Sequence, residues 1–229
     1  MQIGGLQKTS IIDFPGKVSC VLFLAGCNFR CPYCHNPDLI QPVESPLMTV
    51  DGFFEFLSPR KGFLDGVSIT GGEPCINKDI GDLCRAIKDE GLTVKLDTNG
   101  SMPDALNGLI EQGLVDYVAM DVKTEPAQYV ALTRSSVDPD TVLDSIRIIR
   151  GAGIDYEFRT TCARPYVDET VIGKIADLIE GAPLYVLQKC RRERMLEPAF
   201  FNDYDEITRA ELQAFQTIAG KKVGKCTVR

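Results

Sequence analysis

The sequence predicts an α/β fold, an open (β/α)6 partial barrel of TIM type with parallel strands, and three observations carry that expectation. Apolar strand-like runs alternate with segments of helical period, glycines close most of those helices, and polar residues collect where the strands end. Val18 to Leu24, Val67 to Thr70, Thr93 to Asp97, Tyr117 to Asp121, Tyr156 to Thr161 and Leu184 to Gln188 read as six strands. Between them, Ile80, Leu83, Cys84 and Ile87 repeat at helical spacing before Gly91. Leu106, Leu109 and Ile110 do so before Gly113, Val142, Ile146 and Ile149 before Gly151, and Val171, Ile175, Leu178 and Ile179 before Gly181. A last helix is expected over 208–219.

Strand–helix alternation with short connections implies parallel pairing through right-handed crossovers. Six such units are too few for a closed eight-stranded barrel. Periodicity does not fix strand order, so a doubly wound open sheet is the competing topology. No internal repeat, low-complexity tract or linker interrupts the chain, and a single domain over residues 1–229 is expected.

Composition narrows the function. A formal net charge of −7 argues against bulk nucleic-acid binding, which needs a basic face. No apolar run approaches the roughly 20 residues that span a bilayer. The opening Met1-Gln2-Ile3-Gly4-Gly5-Leu6 does not resemble an export signal. Nine irregularly spaced cysteines, an odd count, fit a reducing cytoplasm better than a disulfide framework. Cys20 and Cys84 fall in apolar patterns and read as buried small hydrophobes. Cys162, Cys190 and Cys226 are scattered and take no role.

Cys27, Cys31 and Cys34 are different. They form a C-x3-C-x2-C triplet on a loop, residues 25–36, that follows the first strand. A closed structural zinc site wants four ligands, whereas three thiolates on an iron–sulfur cube leave one iron without a protein ligand. Zinc would need a fourth ligand from His35, which is adjacent to Cys34, or from Cys75. Iron–sulfur is the simpler reading once the next strand end, Gly71-Gly72-Glu73-Pro74, is added. Two glycines there let the backbone approach a ligand and offer it free N–H and C=O groups. Later strand ends carry Asp97-Thr98-Asn99-Gly100, Asp121 with Lys123, Arg159 with Thr161, and Gln188. Parallel α/β folds gather ligands at such ends. Each residue alone is equally a cap, turn or salt bridge.

Together these motifs resemble the radical S-adenosylmethionine (SAM) superfamily. Cys34-His35-Asn36, Asp97-Thr98-Asn99-Gly100 and Asp121-Val122-Lys123 are similar to activating enzymes of glycyl-radical enzymes. Gly4-Gly5-Leu6-Gln7-Lys8-Thr9-Ser10 and Asp13-Phe14-Pro15-Gly16-Lys17 most resemble activating proteins of anaerobic ribonucleoside-triphosphate reductase. The resemblance covers essentially the whole chain. It implies one [4Fe–4S] cluster on Cys27, Cys31 and Cys34, with SAM chelating the open iron. It places Gly71, Gly72 and Glu73 at the methionyl amino group, Lys123 and Arg159 at the methionine or ribose end, and the backbone of Tyr33 and His35 beside the adenine. Asp97, Thr98, Asp121 and the Ala119 carbonyl correspond to positions around a monovalent cation.

The implied chemistry is reductive cleavage of SAM to a 5′-deoxyadenosyl radical, which takes hydrogen from a glycine of a partner enzyme. The implied partners are that glycyl-radical enzyme and a low-potential electron donor such as flavodoxin or ferredoxin, with neither nucleic acid nor membrane. The family's pyruvate formate-lyase activators usually carry Asp-Gly-Pro-Gly where this chain has Asp13-Phe14-Pro15-Gly16. Some activators insert a cysteine-rich segment between triplet and glycine turn; here 36 residues without cysteine intervene, so a single cluster is expected. An activator of another glycyl-radical enzyme, a small-molecule radical enzyme and a zinc-binding interaction module are the alternatives. The basic C-terminus, Lys221 to Arg229, reads as a solvated end rather than a docking tail.

Overall fold

Eight strands and seven α-helices account for the chain in a computed structural model that describes residues 1–229. The strands are β1 (Ile3–Ser10), β2 (Ser19–Leu24), β3 (Gly66–Gly71), β4 (Thr93–Thr98), β5 (Tyr117–Asp121), β6 (Asp155–Cys162), β7 (Tyr185–Lys189) and β8 (Cys226–Val228). The helices are α1 (Val50–Leu57), α2 (Ile80–Asp89), α3 (Pro103–Glu111), α4 (Tyr129–Thr133), α5 (Pro139–Gly151), α6 (Glu169–Leu178) and α7 (Arg209–Ala219). The expected α/β class is present, and β2 to β7 are the six strands read from the sequence. No helix is long and apolar enough to cross a membrane.

The residues group into two compact units. The first comprises Met1–Asn28, Asp38–Thr98 and Asp104–Val118. Its strands run in the order β1-β2-β3-β4 and on to the first residues of β5. β1 is antiparallel to β2, and the pairs β2–β3 and β3–β4 are parallel. Cys20, Leu22, Val67, Ile69, Val94 and Leu96 are sealed from solvent, as are Leu83, Cys84 and Ile87 of α2. Burial pushes the Cys20 and Cys84 thiols up to about 12, so both behave as the small apolar residues expected.

The second unit comprises Phe29–Pro37, Asn99–Pro103 and Ala119–Arg229. It carries the end of β5 followed by β6, β7 and β8, with β6–β7 and β7–β8 parallel. α6 packs on α7, and Ile172 and Ile175 of the one and Leu212 and Phe215 of the other are buried. A capping box starts α7: the Thr208 hydroxyl accepts from the Glu211 N–H, and the Glu211 carboxylate accepts from the Thr208 N–H.

Four features depart from the sequence reading. β1 has no strand-like alternation, because Gly4 and Gly5 interrupt it and only its end residues, Ile3 and Ser10, are buried. α1, capped by Thr49 through the Gly52 N–H, buries only Phe53 and Leu57, too short a pattern to read. Gly151 does not stop α5; the helix includes it, and the left-handed residue is Gly153, φ +70°. The C-terminus is not a solvated end, because Cys226–Val228 pairs with β7 and the Arg229 N–H donates to the Leu187 carbonyl. The β6–β7–β8 order also brings Cys190 and Cys226 near enough to Cys162 to bear on its thiol, which burial chiefly raises.

Candidate functional site

In the first unit, parallel register sets the site. Leu24 is opposite Gly71, so β2 and β3 end level and release their loops side by side. The Gly72 N–H donates to the Leu24 carbonyl at 2.8 Å, and the Glu73 N–H donates to the Gly26 carbonyl at 2.8 Å. On the other flank, Gly26 and Cys27 donate to the carbonyls of Leu39 and Ile40. The loop that leads into Cys27 is thereby held by backbone bonds on both sides. A Cβ on Gly72 would sit 2.0 Å from the Gly26 oxygen. This corrects the expected reason for the glycine: its N–H is spent inside the fold, and its missing side chain admits the neighbouring loop.

Glu73 is fully buried. Its Oε1 accepts from the Cys75 N–H at 3.0 Å and from the Thr98 hydroxyl at 2.8 Å, which ties the glycine turn to the end of β4. Cys75 is buried, and burial beside Glu73 holds its thiol well above the usual range. Asp97 forms an ion pair with Lys95, two residues earlier on the same strand. Lys95 was not singled out in the sequence, although a lysine between Val94 and Leu96 in an apolar strand was the available signal.

In the second unit, Cys31 and Cys34 lie on a tight turn closed by the Cys34 N–H and the Cys31 carbonyl at 2.9 Å. Neighbouring segments pin this turn. The Arg30 N–H donates to the Thr133 carbonyl at the end of α4, and the Glu197 N–H donates to the Pro32 carbonyl. His35 is bonded through Nε2 to the backbone of Arg191, 2.9 Å from its oxygen, and so serves as a loop anchor. Tyr33 is buried, and its hydroxyl has no hydrogen-bond partner.

Asp121 ends β5 between two cations: Arg159 Nε is 2.9 Å from Oδ1 and Lys123 Nζ is 3.2 Å from Oδ2. Burial works to raise the Asp121 carboxyl, but Lys123 and Arg159 prevail and hold it at about 2. The Lys123 N–H donates to the Tyr129 hydroxyl at 2.9 Å, which fixes the strand end against α4. Ala119 is buried two residues before Asp121. Neither Tyr129 nor Arg191 is expected from sequence: Tyr129 meets Lys123 across the turn into α4, and Arg191 meets His35 from 156 residues away.

The thiols suit a cluster in their chemistry. Cys31 is buried and its thiol is pushed up to about 11, burial being the main cause, with Lys123 opposing it. Burial likewise raises the Cys34 thiol. Such thiols stay protonated unless a metal replaces the proton. Cys27 is half-exposed on its own pinned loop. Within neither unit do three His, Cys, Asp or Glu side chains converge as a single metal ion requires.

The sequence profile of the Radical SAM superfamily matches residues 21–178. The chain belongs to the radical SAM superfamily. Among relatives of known sequence, a provisionally assigned glycyl-radical enzyme activating enzyme of Methanocaldococcus jannaschii is 36% identical over 195 residues, 82% of this chain and 79% of that one. The pyruvate formate-lyase 1-activating enzyme of Escherichia coli K12 is 30% identical over 53% of this chain and 52% of its own length. In three dimensions, a domain of pyruvate-formate lyase-activating enzyme from Bacteroides vulgatus matches with a TM-score of 0.58 at 17% identity. That match covers 72% of this chain and 98% of that domain. The chain is therefore a radical SAM enzyme of the glycyl-radical-enzyme activating group, a family that implies a [4Fe–4S] cluster and SAM.

Proposed function

We propose that this radical SAM enzyme activates anaerobic ribonucleoside-triphosphate reductase by removing a hydrogen atom from a glycine Cα of that partner. The observation that carries the choice of partner is the N-terminal run Gly4 to Lys17, whose motifs resemble reductase activators. It forms β1 and the turn after it, where the Ser10 hydroxyl donates to the Asp13 carboxylate. The pyruvate formate-lyase activator of E. coli, as a relative, supports the second candidate partner.

Cys27, Cys31 and Cys34 would hold the cluster. When bound, cluster and SAM supply a one-electron cleavage of the sulfonium that yields the hydrogen-abstracting 5′-deoxyadenosyl radical. The chain's own work is positioning. Lys123 and Arg159 flank Asp121, with Glu157 also 3.9 Å from Arg159, and these two cations would meet the SAM carboxylate in a charge-assisted contact. Gly71, Gly72 and Glu73 form the rigid turn assigned to the methionyl amino group. Tyr33 and the loop at His35 would border the adenine, where the unpartnered Tyr33 hydroxyl offers a buried donor. No side chain is required as acid or base; the buried walls, Tyr33, Tyr129 and Val122 among them, keep water from the radical.

The test compares partners. The reduced, cluster-loaded protein is incubated with SAM and with either the anaerobic reductase or pyruvate formate-lyase, and electron paramagnetic resonance is recorded. A glycyl doublet in the reductase alone is the expected result. A doublet only in the lyase reassigns the partner, and SAM turnover with neither doublet removes the activase.

A further inference from the structure

Asp97 and Asp121 head the oxygen set that the family implies for a monovalent metal ion, and the side chains around them do not fit one. Lys95 and Asp97 lie two residues apart on β4, hence on one face of the strand. They are ion-paired, with Lys95 1% exposed, and its ammonium lies 5.9 Å from the centroid of the Tyr117 ring. Stripping a lysine of water is costly unless a carboxylate answers its charge. Asp97 gives that answer.

The second unit shows the same arrangement independently. Both Asp121 oxygens face protein cations, Arg159 on Oδ1 and Lys123 on Oδ2. A metal ion at either carboxylate would share it with a protein cation, Lys95 at Asp97 or Lys123 and Arg159 at Asp121, and charges of like sign so close repel.

We propose that Lys95 is a built-in counter-ion of Asp97 that replaces the monovalent metal ion, so that this chain binds SAM without one. The inference rests on the reading of Asp97 and Asp121 as SAM-site residues. An ammonium carried on the strand is present in every salt, which makes the site indifferent to the sodium or potassium around it. Lys95 is a positioning residue: it holds Asp97 and need not touch SAM.

The test uses the cluster-loaded protein and two readouts. SAM binding is titrated by calorimetry in tetramethylammonium chloride, then with potassium or sodium substituted at constant ionic strength. Thallium(I), a potassium mimic, is titrated separately by its nuclear magnetic resonance. The native protein is expected to change SAM affinity by less than about twofold among the salts and to show no saturable thallium site, because no coupling is present. Lys95→Met is expected to lose about tenfold in SAM affinity in tetramethylammonium, the scale of one charged hydrogen bond. Potassium should restore most of that loss, and a saturable thallium site should appear.

A native protein that gains SAM affinity with potassium, or that saturates with thallium, overturns the proposal. So does a folded Lys95→Met protein that has no potassium requirement. If that variant does not fold, the native titrations decide alone. Failure to bind SAM in any salt strikes the SAM reading instead, while the thallium titration still decides the metal site.

Discussion

Asp121 shows how single residues set the chemistry of the site. With Lys123 and Arg159 beside it, its carboxyl titrates at about 2 in the folded chain against an ordinary 3.8. A lowered folded pKa means that stabilisation is complete above the unfolded value and drains away as pH falls through the folded one. Urea-unfolding stability should therefore decline between about pH 4 and pH 2. Asp121→Asn should flatten that part of the decline, and an unchanged acid limb in the variant would argue against the triad as its source. Cys31 offers a second test at this scale. Cys31→Ala should leave the far-ultraviolet dichroism of the fold intact while abolishing bound iron and the broad absorbance of the reconstituted cluster, roughly near 400 nm for a cysteine-ligated centre. Normal SAM cleavage by that variant would contradict the ligand assignment. The triplet was legible because thiol spacing is a local property of the chain. Lys95, Tyr129 and Arg191 were not, because Lys95 pairs with Asp97 along one strand face, Tyr129 meets Lys123 only through the turn into α4, and Arg191 reaches His35 from a distant loop.

At the scale of elements, the glycine turn after β3 acts as a spacer between two loops. Gly72→Ala places a methyl group 2.0 Å from the Gly26 oxygen, a backbone atom that cannot rotate away. It should destabilise the protein by about 1–3 kcal/mol, the cost of overpacking, measured by denaturant midpoint at unchanged slope. It should also lower cluster occupancy, because the displaced loop carries Cys27. A variant of native stability and full iron content would show that the loop yields freely. The same scale explains which elements could be read. Helices α2, α3 and α6 repeat their apolar residues over two or more turns and end near a left-handed glycine, Gly91, Gly113 or Gly181. Elements without such a signal escaped notice. β1 is an edge strand broken by glycines, and β8 is three residues that hydrogen-bond only because β7 is there to pair with. The level ends of β2 and β3, the feature that joins the cysteine loop to the glycine turn, depend on register, which hydrophobic pattern does not disclose.

For the whole molecule, the strand ends carry a consistent division of labour: thiols after β2, the glycine turn after β3, carboxylates at the ends of β4 and β5, and a guanidinium on β6. In the mechanism proposed above, none of these groups donates or accepts a proton during turnover. The central claim is that the chain directs a carbon-centred radical onto the backbone of another protein. The measurement that tests it most directly is isotope transfer: the anaerobic reductase is prepared with glycine deuterated at Cα and activated by this protein with SAM. Mass spectrometry of the 5′-deoxyadenosine formed should find one deuterium for each glycyl radical counted by electron paramagnetic resonance. Product free of deuterium, formed while a glycyl radical accumulates or with none at all, would contradict the account.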